Sequence, residues 1–131
     1  MKILVSTLFF CSVLLTATFC NAGTPPLLSQ EQLLQLQQNA NISIIDVRSV
    51  EEFNDGHIPG AINIPHNQIQ EHLEQLLPLK EQQVVVYCRS GRRAALAEKA
   101  MMELGLKDVH HLEGDWLLWQ EKSRPVSTKN E

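Results

Sequence analysis

The sequence predicts an α/β domain: a parallel sheet with helices on both faces. Three observations carry this. The run VVVYC, Val84 to Cys88, is unbroken, β-branched and apolar, the pattern of a strand buried on both sides. Strand-like runs alternate along the chain with helix-like segments of roughly 10–15 residues, the rhythm of parallel pairing. Several strand-like runs are also followed at once by residues that start a helix. In such folds ligands bind where the C-terminal ends of strands turn into helices.

The elements follow in order. Met1-Lys2 make a short basic start, Ile3 to Phe19 is apolar, and Cys20-Asn21-Ala22 puts small residues where a signal peptidase reads. Residues 1–22 are therefore expected to be a cleaved export signal, with the protein periplasmic or secreted. Retention of residues 3–19 as a membrane anchor is the alternative, at the short edge of what spans a bilayer. Acylation of Cys20 is disfavoured by the bulk of Phe19 before it. Residues 23–28, with Pro25-Pro26, read as a linker. The domain is expected over 29–122 and a loose polar tail over 123–131.

Within the domain, Ser29-x-x-Gln32 is a capping box, so a helix is expected over 29–39. Ile42 to Val47 reads as a buried strand. Ser49-x-x-Glu52 is a second capping box, opening a short helix with Phe53 inward, which NDGHIPG then breaks. AINIP is a short strand stopped by Pro65. His66 to Leu77 carries Ile69, Leu73, Leu76 and Leu77 at helical spacing, and Pro78 ends it. After Val84 to Cys88, Gly91 to Leu104 is an Ala- and Leu-rich helix closed by Gly105. DVHHL is a further strand and DWLLWQEK a last short helix.

The 131 residues carry a formal net charge of −4. With no basic stripe interleaved with aromatics, nucleic acid is not an expected partner. Three arginines nevertheless fall within residues 89–93, where a small anion is the fitting partner. Of the three cysteines, Cys11 and Cys20 lie in the expected signal. Cys88 would remain alone, with no partner for an internal disulfide, although exported chains ordinarily pair their cysteines. A buried, inert thiol is the bland reading. Its neighbours argue for a used one.

Cys88 ends a strand and precedes a helix, so unsatisfied backbone N–H groups and the positive end of the helix dipole lie close to the sulfur. Arg89, Arg92 and Arg93 add positive charge, and Gly91 frees the loop to curl. A loop CRSGRR that turns its N–H groups inward would cradle an anion: a thiolate, an oxyanion or a persulfide. Basic residues at a helix N-terminus cost about 0.3–1 kcal/mol each, so three of them there call for an anion. Four residues separate Cys88 from Arg93, whereas cysteine-dependent phosphatases place five before their essential arginine. Ala94 occupies that position and cannot grip phosphate, which argues against a phosphatase.

CRSGRRA resembles the active loop of single-domain rhodaneses, the thiosulfate sulfurtransferases. IIDVRSVEEFNDGHIPGAINIP (Ile44 to Pro65) is similar to that family's first signature, and HLEGDWLLW (His111 to Trp119) to its closing segment. With an export signal, the type resembled is that of the small periplasmic rhodaneses of the phage shock protein E kind. The resemblance implies a three-layer α/β/α domain with a central five-stranded parallel sheet. It implies Cys88 as the nucleophile, taking a sulfane sulfur from thiosulfate or a similar donor to become a persulfide, which cyanide or a thiol then removes. The backbone N–H groups of Arg89, Ser90, Gly91, Arg92 and Arg93 would hold the persulfide. Arg89 and Arg92 would draw the anionic donor, and Arg93 would turn back to hold the loop. No metal or organic cofactor is implied. Asp46 is expected to brace the loop. Arg48 is expected either to pair with Glu52 or to stand at the site mouth. A binding or sulfur-carrying module with little turnover is the alternative function, and a redox role for Cys88 lacks a resolving cysteine.

His57, in Gly-His-Ile-Pro, is better read as part of a fixed turn than as a base. His110 and His111, adjacent in a strand, point to opposite faces and cannot share a metal. Trp116 and Trp119 have core spacing. Two departures stand out. Asp115 follows Gly114 where the family commonly has a second glycine, and its carboxylate is expected to weaken anion binding if it lies near the site. Ala94 stands where a hydroxyl residue is common, so one loop hydrogen bond is expected to be missing.

Overall fold

The computed structural model describes residues 27–39 and 42–129. The expected export signal and its alternative as an anchor lie outside the described residues. Among the described residues five α-helices and four strands alternate. They are α1 (Gln30–Gln38), β1 (Ile42–Asp46), α2 (Val50–Asp55), β2 (Ile62–Asn63), α3 (Leu73–Leu76), β3 (Gln83–Tyr87), α4 (Arg92–Glu103), β4 (Asp108–His111) and α5 (Asp115–Glu121).

All the strand pairs are parallel, in the order β2-β1-β3-β4. The register sets Asp46 beside Tyr87 and Val86 beside His111, so the C-terminal ends of β1, β3 and β4 share one edge of the domain. A fifth strand is not formed among the described residues. Leu28 instead makes an isolated parallel bridge to Leu112, beyond β4. Leu28 is buried, and its N–H and C=O bond His111 and Glu113, so the expected linker joins the sheet at its last residue.

Side-chain alternation along the strands splits the core in two. Ile45, Val84 and Val86 face one side, where Ala94, Ala97 and Met101 of α4 pack with Ile69 and Leu76. Ile44, Val85 and Tyr87 face the other, against Leu33 of α1, Ile58, and Trp116 and Trp119 of α5, with Phe53 of α2 alongside. Both capping boxes form reciprocally, at Ser29/Gln32 and Ser49/Glu52.

Two segments differ from expectation. The helix expected over His66 to Leu77 is three short pieces: a 3-10 turn at Ile69–His72, α3, and a 3-10 turn at Leu77–Leu79. Neither Gln68 nor His72 offers a side-chain cap, and Pro78 denies its turn an N–H. Ile69 and Leu76 are buried, but Leu77 is exposed. The tail expected to be loose is fastened as far as Lys129. Ser127 pairs antiparallel with His57, Pro125 O accepts from Trp119 Nε1, and Lys129 N donates to Asn54 O.

Candidate active site

The site is assembled at the C-terminal ends of β1 and β3. Cys88 directly follows β3, is 1% exposed and is a free thiol. Gly91, at φ +113°, caps α4 and turns its N–H onto Cys88 Sγ at 3.0 Å. Only glycine adopts that backbone readily. The sulfur therefore meets the amide of the N-cap residue itself, at the mouth of the helix. The first-turn amides of Arg92 and Arg93 follow, which an α-helix cannot satisfy internally.

The rear of the loop is pinned to α5. Trp116 N and Leu117 N donate to Cys88 O and Arg89 O at 3.0 and 3.2 Å. The helix that ends the domain thus spends its own free donors on the carbonyls of the loop. Gly114 and Asp115 both take positive φ to make this approach, +69° and +51°. A β-carbon on Gly114 would lie 2.4 Å from Leu118. Asp tolerates this backbone better than most side chains, so the second glycine common in the family can be replaced here.

Asp115 does lie at the site, and it is integrated there. It is 4% exposed, and its Oδ1 accepts from the Cys88 N–H at 2.8 Å. His111 Nε2 meets both carboxylate oxygens, at 3.1 and 2.9 Å. Gln30 Nε2 of α1 donates to the carbonyls of Glu113 and Asp115. The hydrogen bond to Asp115 pushes the His111 imidazole above its ordinary range.

The arginines divide their work. Arg93 pairs with Glu52 of α2, with Nη1–Oε2 at 2.6 Å and Nη2–Oε1 at 2.9 Å, and its guanidinium also interacts with Cys88. The Arg93 guanidinium draws the Glu52 carboxyl down to about 2. Arg89 and Arg92 are exposed, and Arg89 lines a cleft with Arg48, Trp116 and Leu117. Ser90 is exposed at the loop tip. Ala94 is fully buried against the sheet, so a hydroxyl there would face the core.

The expected Arg48–Glu52 pair does not form. Arg48, 3% exposed, instead pairs with fully buried Asp46: Nη2–Oδ2 is 2.6 Å and Nε reaches both oxygens at 3.0 Å. Its Nη2 also donates to Gly56 O at 2.6 Å, and its guanidinium lies 4.5 Å from the Trp116 ring centre. Both orientations fit the chemistry of a buried cation, which needs a counter-charge and filled donors. Asp46 accepts from Arg48 N at 2.9 Å, so it braces the turn after β1 and not the Cys88 loop itself. Arg48 reaches the cleft only as its wall.

His57 stacks on Phe53 and bonds its carbonyl, in keeping with a turn role. Among the described residues no cluster of metal-ligating side chains occurs. Sequence reasoning left Glu52, Gln30 and His111 out of the site. His111 was visible in part, since it stands four positions before Asp115. Its value depends on a φ at Asp115 that no pattern announces.

A loop of this form, closing on a cysteine at the end of a central parallel strand, is that of an α/β domain of the rhodanese type. The chain belongs to the rhodanese-like domain family, which it matches over residues 29–122. It is 32% identical over 94 residues to the thiosulfate sulfurtransferase GlpE of Shewanella oneidensis, covering 72% of this chain and 91% of that protein. It is 37% identical over 70 residues to the thiosulfate sulfurtransferase PspE of Escherichia coli, covering 53% and 67%. The human single-domain sulfurtransferase TSTD1 superposes with a TM-score of 0.67 at 30% identity, covering 76% of this chain and 98% of that one. Other relatives are longer: the chain spans 32%, 63% and 48% of three of them, which are a tRNA uridine(34) hydroxylase, a mitochondrial protein named for thiosulfate sulfurtransfer and one named for sulfur carriage.

Proposed function

We propose that the protein is an exported sulfurtransferase that carries a sulfane sulfur on Cys88. The observation that carries this is the Gly91 N–H aimed at Cys88 Sγ at 3.0 Å, in a loop whose two exposed arginines, Arg89 and Arg92, remain available to an anionic donor. The Cys88 thiolate attacks the outer sulfur of thiosulfate. The S–S bond breaks, sulfite leaves with the electron pair, and a Cys88 persulfide remains. The N–H groups of Arg89 to Arg93 stabilise its terminal negative charge. Cyanide or a thiolate then takes the outer sulfur and returns the Cys88 thiolate. Export rests on the apolar run of residues 3–19 and the small residues before position 23.

The test is the intact mass of the protein after brief thiosulfate treatment, before and after cyanide, with Cys88→Ser alongside. One added sulfur atom, lost to cyanide and absent in the variant, is the expected result. An unchanged mass in folded protein with a free thiol refutes thiosulfate as donor. A sulfur-carrying module with little turnover is the second reading. The 1% exposure of Cys88 and the carboxylate of Asp115 behind it favour it. Loading without repeated cyanide-dependent turnover would establish that reading instead.

A further inference from the structure

The reaction above leaves unused one pair, partly buried His111 and buried Asp115. His111 closes β4, and Asp115 opens α5 behind the Cys88 loop. The Asp115 carboxylate meets two groups at once, Cys88 N–H and His111 Nε2, and it borders Gly91, whose missing β-carbon would sit 3.1 Å from Oδ2. His111 Cε1 would lie 3.4 Å from the same point. The pair therefore lies directly beneath the residue whose N–H meets the sulfur.

We propose that His111 and Asp115 are a positioning pair for Cys88, in which the carboxylate anchors the Cys88 amide and the protonated imidazole cancels its charge beneath the sulfur. The inference rests on Cys88 as the nucleophile of the reading above. A buried carboxylate behind the loop opposes both a thiolate and an incoming anion. A cationic His111 removes that opposition without releasing the amide. A neutral His111 keeps the hydrogen bond but not the compensation.

The charged groups around His111 act in the same direction. Asp115 faces it from α5 and Glu98 from α4, and both raise its affinity for a proton. On β4 itself, His110 is engaged by Asp108 at 2.6 Å. Because the imidazole is held above its ordinary value of about 6.5, its charge persists to higher pH than that of a free imidazole. It is lost as pH rises through the raised value.

The test compares wild type with His111→Gln, which retains a donor for Asp115 but no charge. Two reactions of Cys88 are followed from about pH 6 to about pH 9: sulfur loading from thiosulfate, and alkylation by uncharged iodoacetamide. Wild type is expected to react about tenfold faster than the variant at the acid end, the effect of one pKa unit, and the two rates should converge at the alkaline end. A ratio independent of pH, or near one throughout, overturns the proposal. Asp115→Asn is the second variant, since its side-chain oxygen still accepts from Cys88 N–H. It is expected to react several-fold faster than wild type with anionic iodoacetate at the alkaline end, where wild-type Asp115 is uncompensated. Equal rates there also overturn the proposal. If thiosulfate loads no sulfur at all, thiosulfate is refuted as the donor, while both alkylation comparisons still decide this proposal.

Discussion

Arg93 and Glu52 meet as a fork on a fork, at 2.6 and 2.9 Å, and join the first turn of α4 to α2. Glu52 serves twice, because the oxygen that meets Arg93 Nη1 also accepts from Ser49 N in the capping box. The Cys88 loop is thereby clamped at its far end to the turn that follows β1. Arg93 is a structural cation in a loop whose other two arginines are free to meet an anion.

That pair has a defined acid limit. The Glu52 carboxyl is depressed to about 2, first by its bonds to Arg93. A depressed carboxylate contributes stability that is present above its unfolded value, about 4.3, and lost as pH falls from there towards 2. Arg93→Ala is expected to cost about 1 kcal/mol at neutral pH, since both side chains are partly solvated. Its penalty should shrink below about pH 4. Urea unfolding at several pH values checks this; a penalty that persists undiminished at low pH would assign the loss to packing.

The division among the arginines gives a kinetic expectation. Arg89→Ala and Arg92→Ala should each raise the thiosulfate concentration for half-maximal rate several-fold and leave unfolding midpoints within about 0.5 kcal/mol, as exposed substitutions do. Arg93→Ala should do the reverse. Steady-state rates against thiosulfate, beside denaturation of the same samples, separate the two classes.

Much of the frame was legible in the sequence because it depends on local chemistry. Ser29 and Ser49 announced their helices through side chains three residues away, and Val84 to Val86 could only be a covered strand. CRSGRR pointed to a cradle because glycine, cysteine and a helix start lie within six residues. What escaped depends on distance along the chain. Arg48 has three acids within four residues, Asp46, Glu51 and Glu52, and sequence cannot say that Arg93, 41 positions on from Glu52, takes one of them. The carboxylate of Asp115 was expected to weaken anion binding near the site; that it also anchors the Cys88 amide depends on a left-handed backbone at Asp115 that no pattern announces. Leu28 looked like linker because one residue cannot show a strand period.

Asp46 and Arg48 form a buried ion pair. Asp46→Ala would leave a guanidinium 3% exposed without its counter-charge. The expected loss is about 3–5 kcal/mol. Asp46→Asn, which keeps an acceptor for Arg48 N, should cost less. Thermal and urea denaturation of the two variants give the comparison, and equal losses would show that the ion pair contributes little beyond its shape.

Tyr87 gives the last expectation and a direct spectroscopic reading, since it is the only tyrosine in the chain. It precedes Cys88 in β3, is fully buried, and its hydroxyl oxygen accepts from Ile58 N at 3.0 Å. Burial, reinforced by Asp46, pushes its ionisation well above the ordinary phenol range. For an acid whose folded value is raised, the stabilising contribution is intact below the unfolded value near 10 and is lost as pH climbs beyond it. Tyrosinate absorbance should therefore be absent from the folded protein at about pH 10–11 and appear only as the chain unfolds, whereas the urea-denatured chain should titrate near 10. Tyr87→Phe would leave the Ile58 N–H buried without an acceptor and should cost about 1–3 kcal/mol. Sulfur loading on Cys88 should survive, because the phenol faces α5 and Ile58 and not the loop. Ordinary titration of Tyr87 in folded protein would mean that the face of the sheet under Trp116 opens to water on the timescale of the measurement.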